Sequence, residues 1–364
     1  MATRRKAQVA LLLASSGEES LWQGAFASQG VPAEPVPLTG DLEHLAGDVR
    51  MSGATAVMFD ASLLALNDFT PVAFAHFLRA RFPGMALFMR LPDRTGISPA
   101  EQAWARHAGF ASLLPGSSAA AWQDSLAPVL GRVVEAIAGA PVDAAKLEAW
   151  IQETMRTGAE PRAGLVKDAY MDAYQLERAG VNTARLAEAM QAPGGVPLAD
   201  RTWHGKPYRE CFVASEAIDW LVARFGLRRP QAMKACEFLW RTGRIHHVLR
   251  QAAFGDDHLY FRFSGRRAEL DRVDLVEAEA AMRGRGGVSI AERTYLAKTY
   301  PRCFVGDDAV HWLMQRYGLP LGAAETIGQR LLELGVFHHV VDEHGFVESK
   351  FFYRFRADEV TIPA

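Results

Sequence analysis

The 364 residues predict two architectures on one chain: an α/β sandwich with a five-stranded parallel sheet, then two copies of a small α+β domain. Three observations predict this. Continuous apolar strand patterns alternate with helical patterns over residues 7–140. A gapless shift of 92 positions brings the second half of the chain into register with itself. Between these parts, residues 141–183 read as a helical connector. The 49% apolar content is ample for folded cores.

In the first part, Val9 to Leu13 is a continuous apolar strand, followed by a helix over about residues 19–29. Ala54 to Phe59 is a second strand, Ala73 to Arg81 a helix, and Met85 to Leu91 a third strand. A helix over 99–108, a short strand at Ala111 to Leu114 and a helix over 119–138 complete the series. Apolar strands spaced by helices mean a parallel sheet covered on both faces. A fifth, weaker strand at Val36 to Leu38 belongs at a sheet edge, because Pro35 and Pro37 cannot donate ladder hydrogen bonds. The expected fold of residues 1–140 is flavodoxin-like. The apolar run after Met1–Lys6 is short for a leader, and Ser15–Glu19 reads as a strand-to-helix turn.

The connector holds an amphipathic helix marked by Lys146, Leu147, Trp150, Ile151 and Met155, a break over 158–162, and a second helix from Leu165 to Arg178. Either helix is expected to pack on a domain; a second use is a homodimer seam.

The repeat is the strongest signal. Gly194-Gly195-Val196 falls on Gly286-Gly287-Val288, and Cys211-Phe212-Val213 on Cys303-Phe304-Val305. Trp220-Leu221 falls on Trp312-Leu313, and His246-His247-Val248 on His338-His339-Val340. The copies span 184–264 and 276–357. In the first, Asn182-Thr183 caps a short helix that stops at Pro193-Gly194-Gly195. Val196–Arg201 and Tyr208–Val213 form a hairpin arm turning at Trp203–Lys206. Ser215 then caps a helix with Ala217, Ile218, Leu221 and Val222 on its buried face. Pro230 opens another helix, and Ile245–Leu249 with Leu259–Phe263 close the copy as a β-hairpin. Three helices and a terminal hairpin are a winged-helix layout. Trp220 and Trp312 are expected in the two cores, and each copy is expected to fold by itself.

These residues carry a resemblance. Gly195-Val196 with Arg201, the run Tyr208 to Leu221 around Cys211-Phe212-Val213, and Tyr260-Phe261-Arg262-Phe263 resemble a DEP domain. The second copy resembles it equally, although His311 stands where the first has Asp219 and Gly306 where the first has Ala214. The resemblance implies non-catalytic modules that dock signalling proteins on membranes or membrane-bound receptors. Residues 1–140 resemble a receiver domain of two-component signalling. That likeness places Asp60 at the phosphoacceptor position and Pro115 after the last strand. Phosphoryl transfer to a carboxylate needs Mg²⁺ held by further carboxylates. Here Ser15-Ser16 stands where the family has an acidic pair, the fourth strand ends in Met89-Arg90-Leu91 where it has Ser or Thr, and Leu114 replaces its Lys. Asp60 is therefore expected to be inactive, in a pseudo-receiver.

Composition narrows the function further. No apolar run approaches the ~18 residues of a membrane span. Three cysteines, Cys211, Cys236 and Cys303, cannot all pair and lack metal spacing, which suits a reducing, cytoplasmic compartment. Adjacent strand residues face opposite ways, so His246-His247 and His338-His339 are read as packing residues rather than metal ligands. No catalytic triad order or phosphate loop stands out, so neither an enzyme nor a cofactor is expected. The alanine- and arginine-rich composition points to a bacterial source.

Charge is uneven. Residues 193–263 hold 11 Lys/Arg against 7 Asp/Glu, whereas 286–355 hold 7 against 8. In the first copy Trp203, Lys206 and Arg209 at the arm, with Arg228, Arg229 and Lys234 at a helix start, suit anionic headgroups or an acidic partner. Tyr295 and Lys298 are the corresponding arm residues of the second copy. The expected function is a cytoplasmic signalling adaptor, peripheral at the inner face of the membrane, that docks on a protein partner or an anionic surface. The alternative is a DNA-binding or phosphorylatable response regulator with winged-helix output. The helices at Pro230–Glu237 and Ala323–Arg330 are poor in base-reading side chains, which disfavours DNA.

Overall fold

A computed structural model describes residues 8–14, 16–37, 42–61, 71–92, 94–117, 123–156, 176, 180–183 and 185–361. The chain divides into two compact units, 1–170 and 171–364.

The first unit alternates β1 (Val9–Leu12), α1 (Ser16–Ser28), β2 (Ala33–Pro35), α2 (Leu42–Ser52), β3 (Ala56–Asp60), α3 (Pro71–Arg81), β4 (Ala86–Leu91), α4 (Pro99–His107), β5 (Ser112–Pro115), α5 (Leu126–Ala138) and α6 (Ala144–Arg156). The strands are all parallel, in the order β2-β1-β3-β4-β5. That is the flavodoxin-like order, whose topological switch point lies between β1 and β3. The strand expected at residues 36–38 lies at Ala33–Pro35, on the sheet edge as its prolines require. Helix α2 had no sequence forecast; its buried Leu45, Ala46 and Val49 make a short stripe that Gly47 interrupts. The last helix of the sandwich starts at Leu126, not 119, and residues 118–122 lie outside the described ones.

Helix α6, the first connector helix, belongs to this unit. Leu147 and Ile151 join the core beside Leu21, Trp22 and Ala25 of α1. The Trp150 indole fills the space above Gly24, where a Cβ would lie 2.3 Å from it. Only glycine lets α1 and α6 approach so closely. The apolar face of α6 is thereby used within the unit, so this helix does not offer the homodimer seam considered above. The second connector helix lies outside the described residues apart from Leu176.

The second unit repeats one plan. The first copy runs α7 (Leu186–Gln191), β6 (Ala199–Trp203), β7 (Lys206–Val213), α8 (Ala214–Phe225), α9 (Arg229–Arg241), β8 (Ile245–His247) and β9 (Tyr260–Phe263). A short α10 (Arg267–Leu270) leads on to the second copy. It runs α11 (Leu275–Arg283), β10 (Ala291–Tyr295), β11 (Lys298–Val305), α12 (Gly306–Tyr317), α13 (Leu321–Glu333), β12 (Phe337–His339) and β13 (Phe352–Phe355), then a 3-10 turn at Arg356–Thr361. Left-handed backbone recurs at His204 and Leu296, Glu210 and Arg302, and Arg250 and Asp342. The repeat thus extends to unusual φ angles.

In each copy the arm and the terminal hairpin form one four-stranded antiparallel sheet, β6-β7-β9-β8 and β10-β11-β13-β12. The sequence suggested two separate hairpins. They join because the inner end of the arm pairs onward, Phe212 with Phe261 and Phe304 with Tyr353. Helix α8 starts at Ala214 rather than after Ser215. Asn182 does not cap α7 itself; its carboxamide accepts from the Arg185 amide one turn ahead.

Trp220 and Trp312 are only half-buried, contrary to expectation. Each indole Nε1 donates to a carbonyl of the glycine turn, Gly194 or Gly286, at 2.8 Å. A tryptophan at the core edge keeps its N–H satisfied this way. The fully buried aromatic centres are instead Phe212 with Phe261, and Phe304 with Phe337 and Tyr353.

Candidate functional site

Asp60 ends β3 and Arg90 is its partner across β4. Adjacent parallel strands therefore bring opposite charges together in a place with almost no water: Arg90 is fully buried and Asp60 nearly so. Arg90 Nη1 lies 3.3 Å from Asp60 Oδ1, and its Nη2 donates to Glu18 Oε2 at 2.8 Å. The Ala14 amide, just after β1, donates to Asp60 Oδ2 at 2.9 Å. The Trp22 indole donates to Glu18 at 3.2 Å and lies beneath the guanidinium. The switch-point crevice is thus filled by the chain's own ion cluster, with a fixed cation beside the carboxylate. Ser16 opens α1, and nothing is described for Ser15. Leu114 is core and Pro115 ends β5.

The two copies of the second unit are not independent. Helix α13 of the second copy lies on the outer face of the first copy's sheet, with Leu321 to Glu325 all buried. Gly322 makes this possible, since a Cβ there would lie 1.9 Å from the Phe263 carbonyl oxygen. Glu325, fully buried, accepts from Arg262 Nη1 at 2.8 Å, from His246 at 2.9 Å and from the Glu348 amide at 2.8 Å. His246 and Arg262 are a cross-strand pair on β8 and β9. Since a carboxylate only accepts, His246 Nε2 carries the proton and Nδ1 accepts from the Ser264 hydroxyl at 2.9 Å. Burial, helped by the Arg250 charge, pushes His246 down to about 4, so it is neutral near pH 7. Burial alone would raise Glu325; the Arg262 charge and the His246 hydrogen bond outweigh it and hold the carboxyl at about 2.

Arg209 belongs to this interface as well. It pairs with Glu348 and lies 2.9 Å from His311 Nε2, both in the second copy. It is therefore not the surface-docking cation expected. Arg229 is clasped at 2.5 Å by both Asp219 and Asp256. Arg228, close to Gln231, and Lys234 are the other exposed cations at the start of α9. Both Arg209 and Arg229 are therefore engaged within the chain, although Asp219 and Asp256 are already counted in the first copy's net charge.

The arm tips stay open. Trp203 and Lys206 flank the turn His204-Gly205, and Tyr295 and Lys298 flank Leu296-Ala297. Both turn residues have positive φ in each copy, as a two-residue hairpin of this twist requires. The second copy achieves this without glycine, at a strain of about 1–3 kcal/mol per residue. Trp203 is 57% exposed, Tyr295 61% and Leu296 83%. Each arm therefore presents an apolar tip beside an exposed lysine.

The buried pair Arg262–Glu325 escaped the sequence reading. Its one trace was a mismatch in the repeat, Glu325 against Met233 at a position that helical spacing buries. Among the described residues no group of three or more His, Cys, Asp and Glu is arranged to hold a metal. All three cysteines are free and buried, and burial pushes their thiols up.

Comparison with known proteins agrees with this geometry. Residues 195–263 and 287–355 each match the family described as the domain found in Dishevelled, Egl-10 and Pleckstrin (DEP). These residues are two DEP domains in tandem, and they follow a flavodoxin-like α/β domain. Among its relatives, the vacuolar membrane-associated protein IML1 of Yarrowia lipolytica is 29% identical over 115 residues, 30% of this chain and 7% of that protein. The protein of the same name in Saccharomyces cerevisiae is 22% identical over 246 residues, 53% of this chain and 15% of that protein. The human phosphatidylinositol 3,4,5-trisphosphate-dependent Rac exchanger 2 protein is 39% identical over 79 residues, 21% of this chain and 5% of that protein. The chain spans only a small part of each. A CheY-like protein from Pseudomonas aeruginosa is 16% identical with a TM-score of 0.28, covering 38% of this chain and 97% of its own. The fold of the first unit rests on its own strand order.

Proposed function

We propose that this chain is a non-catalytic, cytoplasmic signalling adaptor whose paired DEP domains dock through their arms on a protein partner or an anionic membrane surface. The observation that carries this reading is the repeated arm tip: an exposed aromatic residue beside an exposed lysine, held on a tight turn in both copies. An aromatic ring with a neighbouring cation suits a boundary that is apolar on one side and anionic on the other. Names of relatives such as the vacuolar membrane-associated protein IML1 support a membrane setting. Among the described residues no helix is long and apolar enough to cross a membrane. Arg90 beside Asp60 supports an input domain that works without phosphorylation. The DNA-binding reading loses support because the reading end of α13 is buried against the first copy.

Flotation with vesicles containing phosphatidylserine, against neutral vesicles, tests the membrane arm of this reading. Binding should weaken as salt rises, because surface attraction decays over a Debye length of about 8 Å at physiological ionic strength. Trp203→Ala with Lys206→Glu should reduce binding, and adding Tyr295→Ala with Lys298→Glu should abolish it. Unchanged flotation of the fourfold variant would remove the arms from the mechanism.

A further inference from the structure

The second copy carries its own version of the clamp that binds Glu325. His338 and Arg354 are a cross-strand pair on β12 and β13, as His246 and Arg262 are on β8 and β9. Arg354 Nε donates to the Pro301 carbonyl at 2.9 Å, as Arg262 Nε donates to the Arg209 carbonyl at 2.8 Å. Both arginines are thus braced by the arm strand, with Nη atoms turned to a carboxylate. In the first copy that carboxylate comes from helix α13. In the second it comes from the 3-10 turn: Glu359 Oε1 lies 2.8 Å from His338 Nε2 and 4.0 Å from Arg354 Nη1. Asp358 adds contacts to Arg283 at 2.8 Å and Arg302 at 3.7 Å.

The residues just after the last strand separate the two outcomes: Asp358 and Glu359 stand where the first copy has Arg266 and Arg267, and the backbone at the preceding position differs as well. After β9 the chain leaves the sheet through Gly265, at φ +86°. The corresponding residue after β13 is Ala357, which does not favour that left-handed turn, and the chain folds back over the face. We propose that the His338–Arg354 face is a docking site for a partner protein's helix that presents a glutamate beside small residues, and that Asp358 and Glu359 act as a built-in stand-in for it.

The occupant follows from the filled copy of the site. There the covering helix begins Leu321-Gly322-Ala323-Ala324-Glu325, small residues giving close approach and the glutamate entering the clamp. The chain's own first copy cannot supply such a helix to a second molecule. Its α9 has Pro230 where Gly322 stands and Met233 where Glu325 stands, so the contact does not propagate head to tail. Charge agrees once Asp358 and Glu359 move off: Arg354, Arg302 and Arg283 then outnumber the remaining carboxylate, Asp342, which lies 2.6 Å from His338 Nδ1. The stand-in is also the weaker occupant, since Glu359 keeps 31% of its side chain exposed whereas Glu325 has none. This inference rests on the adaptor reading but uses a surface other than the arms.

The test uses the full chain and a fluorescent, stapled helical peptide of residues 319–334 as the probe, read by anisotropy. The variant Ala357→Gly with Asp358→Asn and Glu359→Gln opens the face; Glu359→Gln alone is the milder second variant. Both should bind the peptide more tightly than the unmodified chain, the triple variant by about tenfold. The same peptide with Gln at position 325 should lose that gain, as should Arg354→Gln with His338→Gln in the opened chain. Trp203→Ala with Tyr295→Ala should not alter it, which separates this site from the arms. Equal binding by open and unmodified chains would overturn the proposal. So would a gain that survives Arg354→Gln with His338→Gln but vanishes in Arg262→Gln, since the peptide would then be replacing α13 on the first copy.

Discussion

Replacing Glu325 with alanine should be among the most destabilising single changes in the second unit. The carboxylate lies 2.8 Å from Arg262 Nη1. At an effective dielectric constant of about 20, a pair that close gains roughly 6 kcal/mol of gross attraction. Much of this only offsets the cost of taking both charges out of water, so the net worth of the pair is small. Removing one partner is different, because Arg262 would stay buried with only Glu348 at 3.6 Å to answer it. Losses of this kind run to about 3–5 kcal/mol, and the remaining carboxylate places this one near the lower end. Arg262→Met with Glu325→Met removes both charges and should return to within about 1–2 kcal/mol of the unmodified chain. Glu359→Ala, at the half-open equivalent in the second copy, should cost only about 1 kcal/mol. Urea denaturation followed by near-ultraviolet circular dichroism measures the three variants, and hydrogen exchange at β8 and β9 reports whether the face has opened. A loss under 1 kcal/mol for Glu325→Ala, or one equal to that of Glu359→Ala, would refute the claim that the pair clamps the copies together.

The remaining predictions concern the switch point, the close helix contacts and pH. Incubation with a small phosphodonor and Mg²⁺ should leave the intact mass unchanged, because Arg90 occupies the space beside Asp60; an adduct lost in Asp60→Asn would show otherwise. Gly24→Ala puts a methyl 2.3 Å from the Trp150 ring, and Gly322→Ala puts one 1.9 Å from a backbone oxygen. Each should cost about 1–3 kcal/mol or more in melts, the second more because backbone yields less than a side chain. His246 and His339 are both held down at about 4 by burial. Between that value and their unfolded value near 6.5 only the unfolded chain takes up these protons. Stability is therefore full above about pH 6.5 and falls towards pH 4, by up to about 1.4 kcal/mol per pH unit for each histidine. Urea midpoints at pH 5 and pH 7 should show the drop, and His246→Gln should lessen it.

Local chemistry made much of this protein readable. Apolar strands at Val9–Leu12 and Ala86–Leu91 spaced by helices imply a covered parallel sheet, whose order β2-β1-β3-β4-β5 is seen only in the fold. The shift of 92 positions required two copies, and the copies match element for element. Prolines kept β2 at the edge. The arm tips were legible too, because Trp203, Lys206, Tyr295 and Lys298 sit at turns whose geometry is local. What pairs with what across the molecule was not legible. Arg209, Arg229 and Arg90 are all arginines in sequence, and only the fold decides that the first joins two domains, the second is clasped by aspartates and the third lies buried beside Asp60 of the neighbouring strand. Likewise His246-His247 and His338-His339 read as identical motifs, yet one outer-face histidine meets a helix and the other a turn. Helix and strand patterns are set by neighbours a few residues apart. Charge partners are set by packing between segments 63 to 139 residues apart, as for Arg262 with Glu325 and Arg209 with Glu348, which no local spacing encodes.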